Sequence, residues 1–250
     1  DRSSAASDVY KRQGPWNLAP GTLFPRLHHM NNTLGFILCL LYVFGMIGLA
    51  ELLRRWRGYG SGFTRKVIHI GVGMMSWFLP ALFTSPWPFV AACGAFMVIN
   101  LLDWRYDFFK AMQSSSRSNL GTVYFPLAAA VVALVFWEQP PLMVAALMPL
   151  TWGDGLAPVI GAAYGKRFYR IHTSTRTLEG SAGFFVAGFA FTWLALWVMP
   201  GLPDISPTAA LLPALIIMVV TTLIEAVSIW GLDNLTITAA AILILSFWPF

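Results

Sequence analysis

Charge is what this chain has least of. Asp, Glu, Lys and Arg make up 11% of its 250 residues, whereas a soluble domain carries about a quarter. With 57% of the residues hydrophobic, most of the chain must face something other than water. Cysteine is scarce too. Cys39 and Cys93 both lie in apolar runs, where they read as small buried hydrophobes, and no disulfide or Cys-x-x-Cys metal site is suggested. No long linker, low-complexity block or internal repeat stands out, so the usual sign of an inverted-repeat transporter is missing. A net charge of +5 would suit nucleic acid, but the distribution argues against that partner. The basic residues sit in short loops between apolar runs, where they govern membrane orientation.

What is abundant is apolar sequence in lengths near those of membrane spans. Eight runs can be counted: 34–53, 67–83, 87–102, 122–137, 142–163, 182–199, 208–229 and 235–248. The second, third, fourth and eighth are short, so the expectation is an all-α, polytopic membrane bundle of about eight helices, within seven to nine. Residues 1–29 begin at Asp1 and open "DRSSAASDVYKRQ", which resembles adaptor-derived sequence. They are set aside as a non-native or disordered leader, leaving Met30 as the start of a single membrane-embedded domain over 30–250. The loops supply the orientation. Arg54, Arg55, Arg57, Arg65 and Lys66 follow the first run. Arg105, Lys110 and Arg117 follow the third, and Lys166, Arg167, Arg170 and Arg176 follow the fifth. These are twelve of the 16 Lys and Arg residues, and the other four precede Met30. Loops after the second, fourth and sixth runs carry none. The positive-inside rule puts the basic loops in the cytoplasm and both termini outside, in a bacterial inner membrane or an equivalent one.

Ionisable side chains within such runs are costly unless paired or turned to a polar cavity, which makes each a candidate functional residue. Asp154 lies between Gly153 and Gly155, and Gly153, Ala157, Gly161 and Gly165 form a small-residue stripe that lets a second helix approach. Pro158 lacks the amide hydrogen that would bond the Asp154 carbonyl. A carboxylate beside a free carbonyl suits a hard cation such as Mg²⁺. Lys166, Arg167, Arg176, Glu179 and Ser181 follow across a polar loop, and such cations and hydroxyls near a carboxylate suit a metal-bound nucleoside triphosphate. The alternative is a structural Asp154 pairing a neighbouring helix, with the loop cations serving topology alone. Arg65, Lys66 and His69 share one helix face, as a phosphate-binding edge or as snorkelling anchors beside an interior histidine. Glu225 sits near the inner end of the seventh run. Asp233 and Asn234 occupy the next turn, where they could equally be turn and cap residues. Asn100, Asp103 and Asp107 add a polar face to the third run. All these groups fall on the side that Lys and Arg mark as cytoplasmic, although they took no part in assigning it. A single active site follows from that convergence.

Four stretches in order, "RKVIHIGVG", "WGDGLAPVIGAAYGKR", "TLEGSAGF" and "IEAVSIWGLDNLTI", resemble the family of phytol kinases, dolichol kinases and CTP-dependent diacylglycerol kinases. They lie nearest its phytol kinase and bacterial polyprenol kinase branch, and the likeness spans roughly residues 50–240. The resemblance implies transfer of the γ-phosphate of CTP, or another nucleoside triphosphate, to a membrane-dissolved lipid alcohol at the cytoplasmic face, with Mg²⁺. It casts Asp154, Lys166 and Glu179 as catalytic residues and Asp154 and Glu225 as metal ligands. The nucleotide would then be held by Arg65, Lys66, His69, Arg167, Arg176 and Ser181, by Gly153, Gly155 and Gly165, and by Asp233 and Asn234. A second Asp commonly follows Gly-Asp-Gly in related phytol kinases, and Pro158 stands there instead. The remaining metal contact is therefore assigned to Glu179, Glu225 or Asp233. Two rivals were weighed. A phosphatidate cytidylyltransferase shares Asp-x-x-Ala and Gly-Lys but needs a C-terminal His-Gly-Gly-x-x-Asp-Arg signature that is missing. A non-enzymatic transporter or lipid-binding protein should carry ionisable residues near mid-bilayer. A homo-oligomer is compatible with the sequence, and the identity of the alcohol is not written in it.

Overall fold

A computed structural model of the protein describes residues 31–106, 108–110, 120–171 and 174–250. The leader 1–29, Met30, Asp107 and Arg117 lie outside the described residues. The path is a series of apolar helices: α1 (Asn32–Arg57), α2 (Ser61–Met74), α3 (Pro86–Tyr106), α4 (Gly121–Phe136), α5 (Pro140–Tyr164), α6 (Leu178–Val198), α7 (Pro207–Val227) and α8 (Asp233–Ser246). Their ends are chemically marked. Asn31 accepts the Thr33 amide at α1, Thr177 accepts the Gly180 amide at α6, and Ser206 caps α7 just ahead of Pro207. Each cap satisfies an amide that the first helical turn leaves without a partner. α1 stops at Gly58, whose φ of 70° turns the chain sharply before α2, a conformation open to glycine at little cost.

Large apolar side chains such as Leu41, Leu52, Leu212 and Leu223 are exposed on α1 and α7. In water that surface would be a liability, and in lipid it is what a spanning helix presents. Five helices are long and apolar enough to cross a membrane: α1, α3, α5, α6 and α7. The expected count of about eight spans is therefore not confirmed. α4 and α8 have 16 and 14 residues, which at 1.5 Å per residue reach about 24 and 21 Å, short of a hydrocarbon core of about 30 Å. The second run is interrupted: after α2 the chain tightens into a 3₁₀ turn, Met75–Phe78, then one last helical turn, Leu79–Leu82. The Met75 amide bonds the Val72 and Gly73 carbonyls, and the Gly71 carbonyl accepts from the Tyr42 hydroxyl at 2.7 Å instead.

α5 is the central helix, with 72% of its apolar window buried against 22% for α1. It is also irregular, since Pro149–Asp154 widens into a π-helical segment. Pro149 has no amide hydrogen to give the preceding turn, and such widenings free backbone carbonyls for other partners. α6 lies tight against α5. A Cβ on Gly180 would stand 2.8 Å from the Ala157 carbonyl oxygen, and one on Gly161 would stand 2.8 Å from the Thr177 hydroxyl. The all-α expectation holds for the bundle, with one short addition between α5 and α6. There the polar stretch forms an antiparallel hairpin, β1 (Phe168–Ile171) with β2 (Ser174–Thr177), Tyr169 opposite Arg176. Aromatic and β-branched residues in short alternation favour strands over an irregular loop.

Candidate active site

The first turns of α2 and the last turns of α5 meet inside the bundle. Lys66 and His69 project from α2 at i and i+3, so they share a face, and that face meets Asp154 at the end of the π segment. The Lys66 ammonium donates to Asp154 Oδ2 at 2.7 Å. His69 Nε2 lies 3.4 Å from the same oxygen and 2.8 Å from the Leu150 carbonyl. A carbonyl can only accept, so this contact assigns the imidazole proton to Nε2. The Asp154 and Lys66 side chains are each 12% exposed. A carboxylate buried that far needs such a partner. Its Oδ1 takes part in neither contact. Close approach of the two helices depends on Gly155, where a Cβ would press into the Ile70 side chain, and on Gly73, which leaves room for Thr151.

A second ion pair closes the same end of the bundle from the other side. Arg176 on β2 reaches across to Glu225 at the end of α7 and donates to the Ser228 carbonyl at 2.8 Å. Glu225 Oε2 and Asn234 Oδ1 are buried and lack a hydrogen-bond partner among the described residues. Asp233 accepts from the backbone and side-chain amides of Asn234, both at 3.0 Å, and Asn234 donates to the Gly231 carbonyl at 3.1 Å. These interactions hold the turn into α8 against the cavity.

The ionisable groups of both clusters border one cavity of about 600 Å³. Its polar end gathers Arg65, Lys66, His69 and Asp154 from α2 and α5, and Arg176, Ser181, Glu225, Asp233 and Asn234 from the opposite wall. Ser181 shares a hydrogen bond of 2.7 Å with the Tyr169 hydroxyl of the hairpin. Arg65, Lys66 and Arg176 balance Asp154, Glu225 and Asp233 in formal charge. Other expected residues lie outside this cavity. Lys166, Arg167 and Gly165 stand at the base of the hairpin, with both cations exposed. Glu179 accepts the Lys166 and Arg167 amides at 3.1 and 3.2 Å, so in this structure it braces the hairpin. Gly153 packs against Phe184, and Gly155 against Ile70. Asn100 lines the cavity and donates to the Thr122 carbonyl at 2.7 Å.

The cavity has a second, apolar end that sequence reasoning did not anticipate. It runs between α1 and α3, walled by Cys39, Val43 and Ile47 on one side and by Phe89, Cys93 and Phe96 on the other. Val43 and Ile47 are four residues apart on α1, as are Phe89 and Cys93 on α3, a spacing that lines one helix face. That spacing was present in the sequence, but 34–50 of α1 and 86–99 of α3 hold no charged or amide residue, so nothing there marked the inner face from the lipid face.

The donor set fits Mg²⁺ carried by a nucleotide. Carboxylate and amide oxygens face the cavity, and two of them, on Glu225 and Asn234, are buried without a protein partner. Among the described residues no group of three His, Cys, Asp or Glu side chains could hold a metal ion alone.

Fold and site define a polytopic membrane protein with a charged cavity at one end of its bundle, opening onto an apolar chamber. The chain is 28% identical over 213 residues to the phytol kinase of Synechocystis sp., covering 83% of this chain and 88% of that protein. It is 24% identical over 219 residues to a probable chloroplastic phytol kinase of Triticum aestivum, covering 80% and 72%. With the chloroplastic farnesol kinase of Arabidopsis thaliana it shares 21% identity over 236 residues, covering 88% and 76%. These relatives support the phytol kinase family, the resemblance carried by the four motifs, and indicate a phosphotransferase with an alcohol as acceptor. No family model matches the chain, and no solved structure matches it.

Proposed function

We propose that the chain is a prenyl-alcohol kinase that transfers the γ-phosphate of CTP, or of another nucleoside triphosphate, to an alcohol such as phytol at the cytoplasmic face of its membrane. The observation that carries this reading is the continuity of the cavity. Three cations and three carboxylates stand at one end, and an apolar chamber long enough for a lipid tail extends from the other. Eleven residues of α3 separate Asn100 at the polar end from Phe89 in the chamber, about 16 Å along the helix. Both ends serve one reaction: the nucleotide comes from water, the alcohol from lipid, and they meet near Asp154.

Phosphoryl transfer asks the protein for positioning and for charge neutralisation. Arg65, which forms no ion pair among the described residues, Lys66 and Arg176 face the triphosphate. Lys166 and Arg167, at the exposed rim, draw the anion towards the mouth. Asp154 Oδ1 accepts the hydrogen of the alcohol and aims its oxygen at the γ-phosphorus. As the new O–P bond forms, the bond to the β-phosphate oxygen breaks and the nucleoside diphosphate leaves. Asp154, Glu225 and Asp233 are the residues that would hold Mg²⁺, whose chemistry is to neutralise charge on the β- and γ-phosphates. Asp154→Asn tests the assignment. The variant keeps an acceptor for Lys66, so it is expected to remain folded in detergent and to lose turnover. Near-normal turnover would remove Asp154 from the reaction.

A further inference from the structure

The chamber is walled by buried side chains, Cys39, Val43 and Ile47 on α1 and Phe89, Cys93 and Phe96 on α3, while Ser174 and Thr175 of the hairpin line the same cavity. A substrate dissolved in the bilayer must therefore pass between two helices. Polar bonds tie α2 to α1 at Tyr42–Gly71, and Asn32 at the start of α1 bonds Thr84, just beyond the helical turn Leu79–Leu82, at 2.8 Å. Asn100 ties α3 to α4. Across the seam between α1 and α3 the contact is aromatic, with the Phe44 and Phe96 rings 5.8 Å apart and tilted by 50°.

A second cavity, about 430 Å³, lies against the outer side of that seam. Phe44, Ile47 and Gly48 of α1 form one wall and Phe108 and Phe109 the other, with Arg54, Arg55, Lys110 and Glu51, which pairs both arginines, at its net basic end. Ile47 borders both cavities. Positions 39, 43 and 47 of α1 face inward, and 44, 47, 48 and 51 face the groove, so Ile47 stands where the two faces meet. The partition there is one side chain thick. The groove also has the polarity of the substrate. Its apolar part suits a tail, and its basic end lies seven residues above Ile47, about 10 Å along the helix, at the level where a hydroxyl would meet water.

We infer that a membrane-dissolved prenyl alcohol reaches the chamber sideways, between α1 and α3, waiting in this outer groove until Phe44, Ile47 and Phe96 part. The inference rests on the prenyl-alcohol kinase reading and adds the route by which that substrate arrives. Gly48 provides the test, because a Cβ there meets nothing within 4 Å. Gly48→Trp is designed to fill the groove from a position where the added Cβ is unopposed. Gly45 is equally open but does not line the groove, so Gly45→Trp is the control. Kinetics are measured in detergent and in lipid vesicles with phytol and with the shortest water-soluble prenyl alcohol, which enters by the polar mouth. Gly48→Trp is expected to lower kcat/KM for phytol about tenfold through KM, leaving the short alcohol and the Gly45→Trp protein at wild-type values. Ile47→Ala, which thins the partition, is expected to lower KM for phytol. Unchanged phytol kinetics in Gly48→Trp, or equal losses on both alcohols, would overturn the portal. If the unaltered protein phosphorylates neither alcohol, the kinase reading itself fails, and that is seen before any variant is made.

Discussion

Replacing Lys66 by Met should strand a carboxylate inside the bundle. The Lys66–Asp154 pair spans 2.7 Å, and both side chains are 12% exposed. At an effective dielectric constant of about 20, charges at that distance attract by about 6 kcal/mol, part of which offsets their desolvation. Removing one partner of a buried pair typically costs about 3–5 kcal/mol. His69, 3.4 Å from the same oxygen, offers partial relief, so a loss of about 3 kcal/mol is expected, near the lower end of that range. Asp154→Asn should cost less, since an amide oxygen still accepts from Lys66. The pair Lys66→Met/Asp154→Asn should be more stable than Lys66→Met alone, because the stranded charge is gone. Reversible unfolding in mixed detergent micelles measures all three, and phosphoryl transfer is assayed alongside. Stability regained without activity is the expected signature. Strictly additive losses in the double variant would refute the claim that Lys66 balances Asp154.

Arg176→Gln should free the hairpin from α7 and leave Glu225 unpaired, raising KM for the nucleotide more than KM for the alcohol; equal changes would separate Arg176 from nucleotide binding. Gly180→Val should push α6 away from the Ala157 carbonyl, which a Cβ would approach to 2.8 Å, and destabilise the protein by about 1–3 kcal/mol in the same unfolding assay. Removing divalent metal with a chelator should stop turnover, and added Mg²⁺ should restore it; full activity in excess chelator would remove the metal from the account.

That the polar residues gather at one end of the bundle was legible, because Lys and Arg counts group the loops independently of Asp, Glu and His. The order of the apolar helices was legible for a similar reason, since each run is bounded by Pro, Gly or charge. The pairings were not. Lys66 and Asp154 are 88 residues apart, and Arg176 lies 49 positions before Glu225. No local pattern couples such residues, so Lys66 read equally well as a snorkelling anchor. The π segment was half visible: Pro149 and Pro158 mark a helix that cannot be regular, but not which carbonyl is released or that His69 takes it. The hairpin was written in "FYRI" and "STRT", yet at four residues per strand its pattern is short beside the cationic loop in which it lies. The stripe of Gly153, Ala157, Gly161 and Gly165 did foretell close helix packing. Its partners are Phe184, Thr177 and Gly180 rather than a phosphate.

Transfer of label from nucleotide to lipid tests the central claim most directly. Purified protein is supplied with phytol, Mg²⁺ and CTP labelled at either the α- or the γ-phosphate, and the lipid is extracted and counted. Label from the γ position should appear in a phosphorylated alcohol, and label from the α position should stay with the nucleotide. Label from the α position in the lipid, or no transfer to phytol, farnesol or a polyprenol from any nucleoside triphosphate, would contradict that claim.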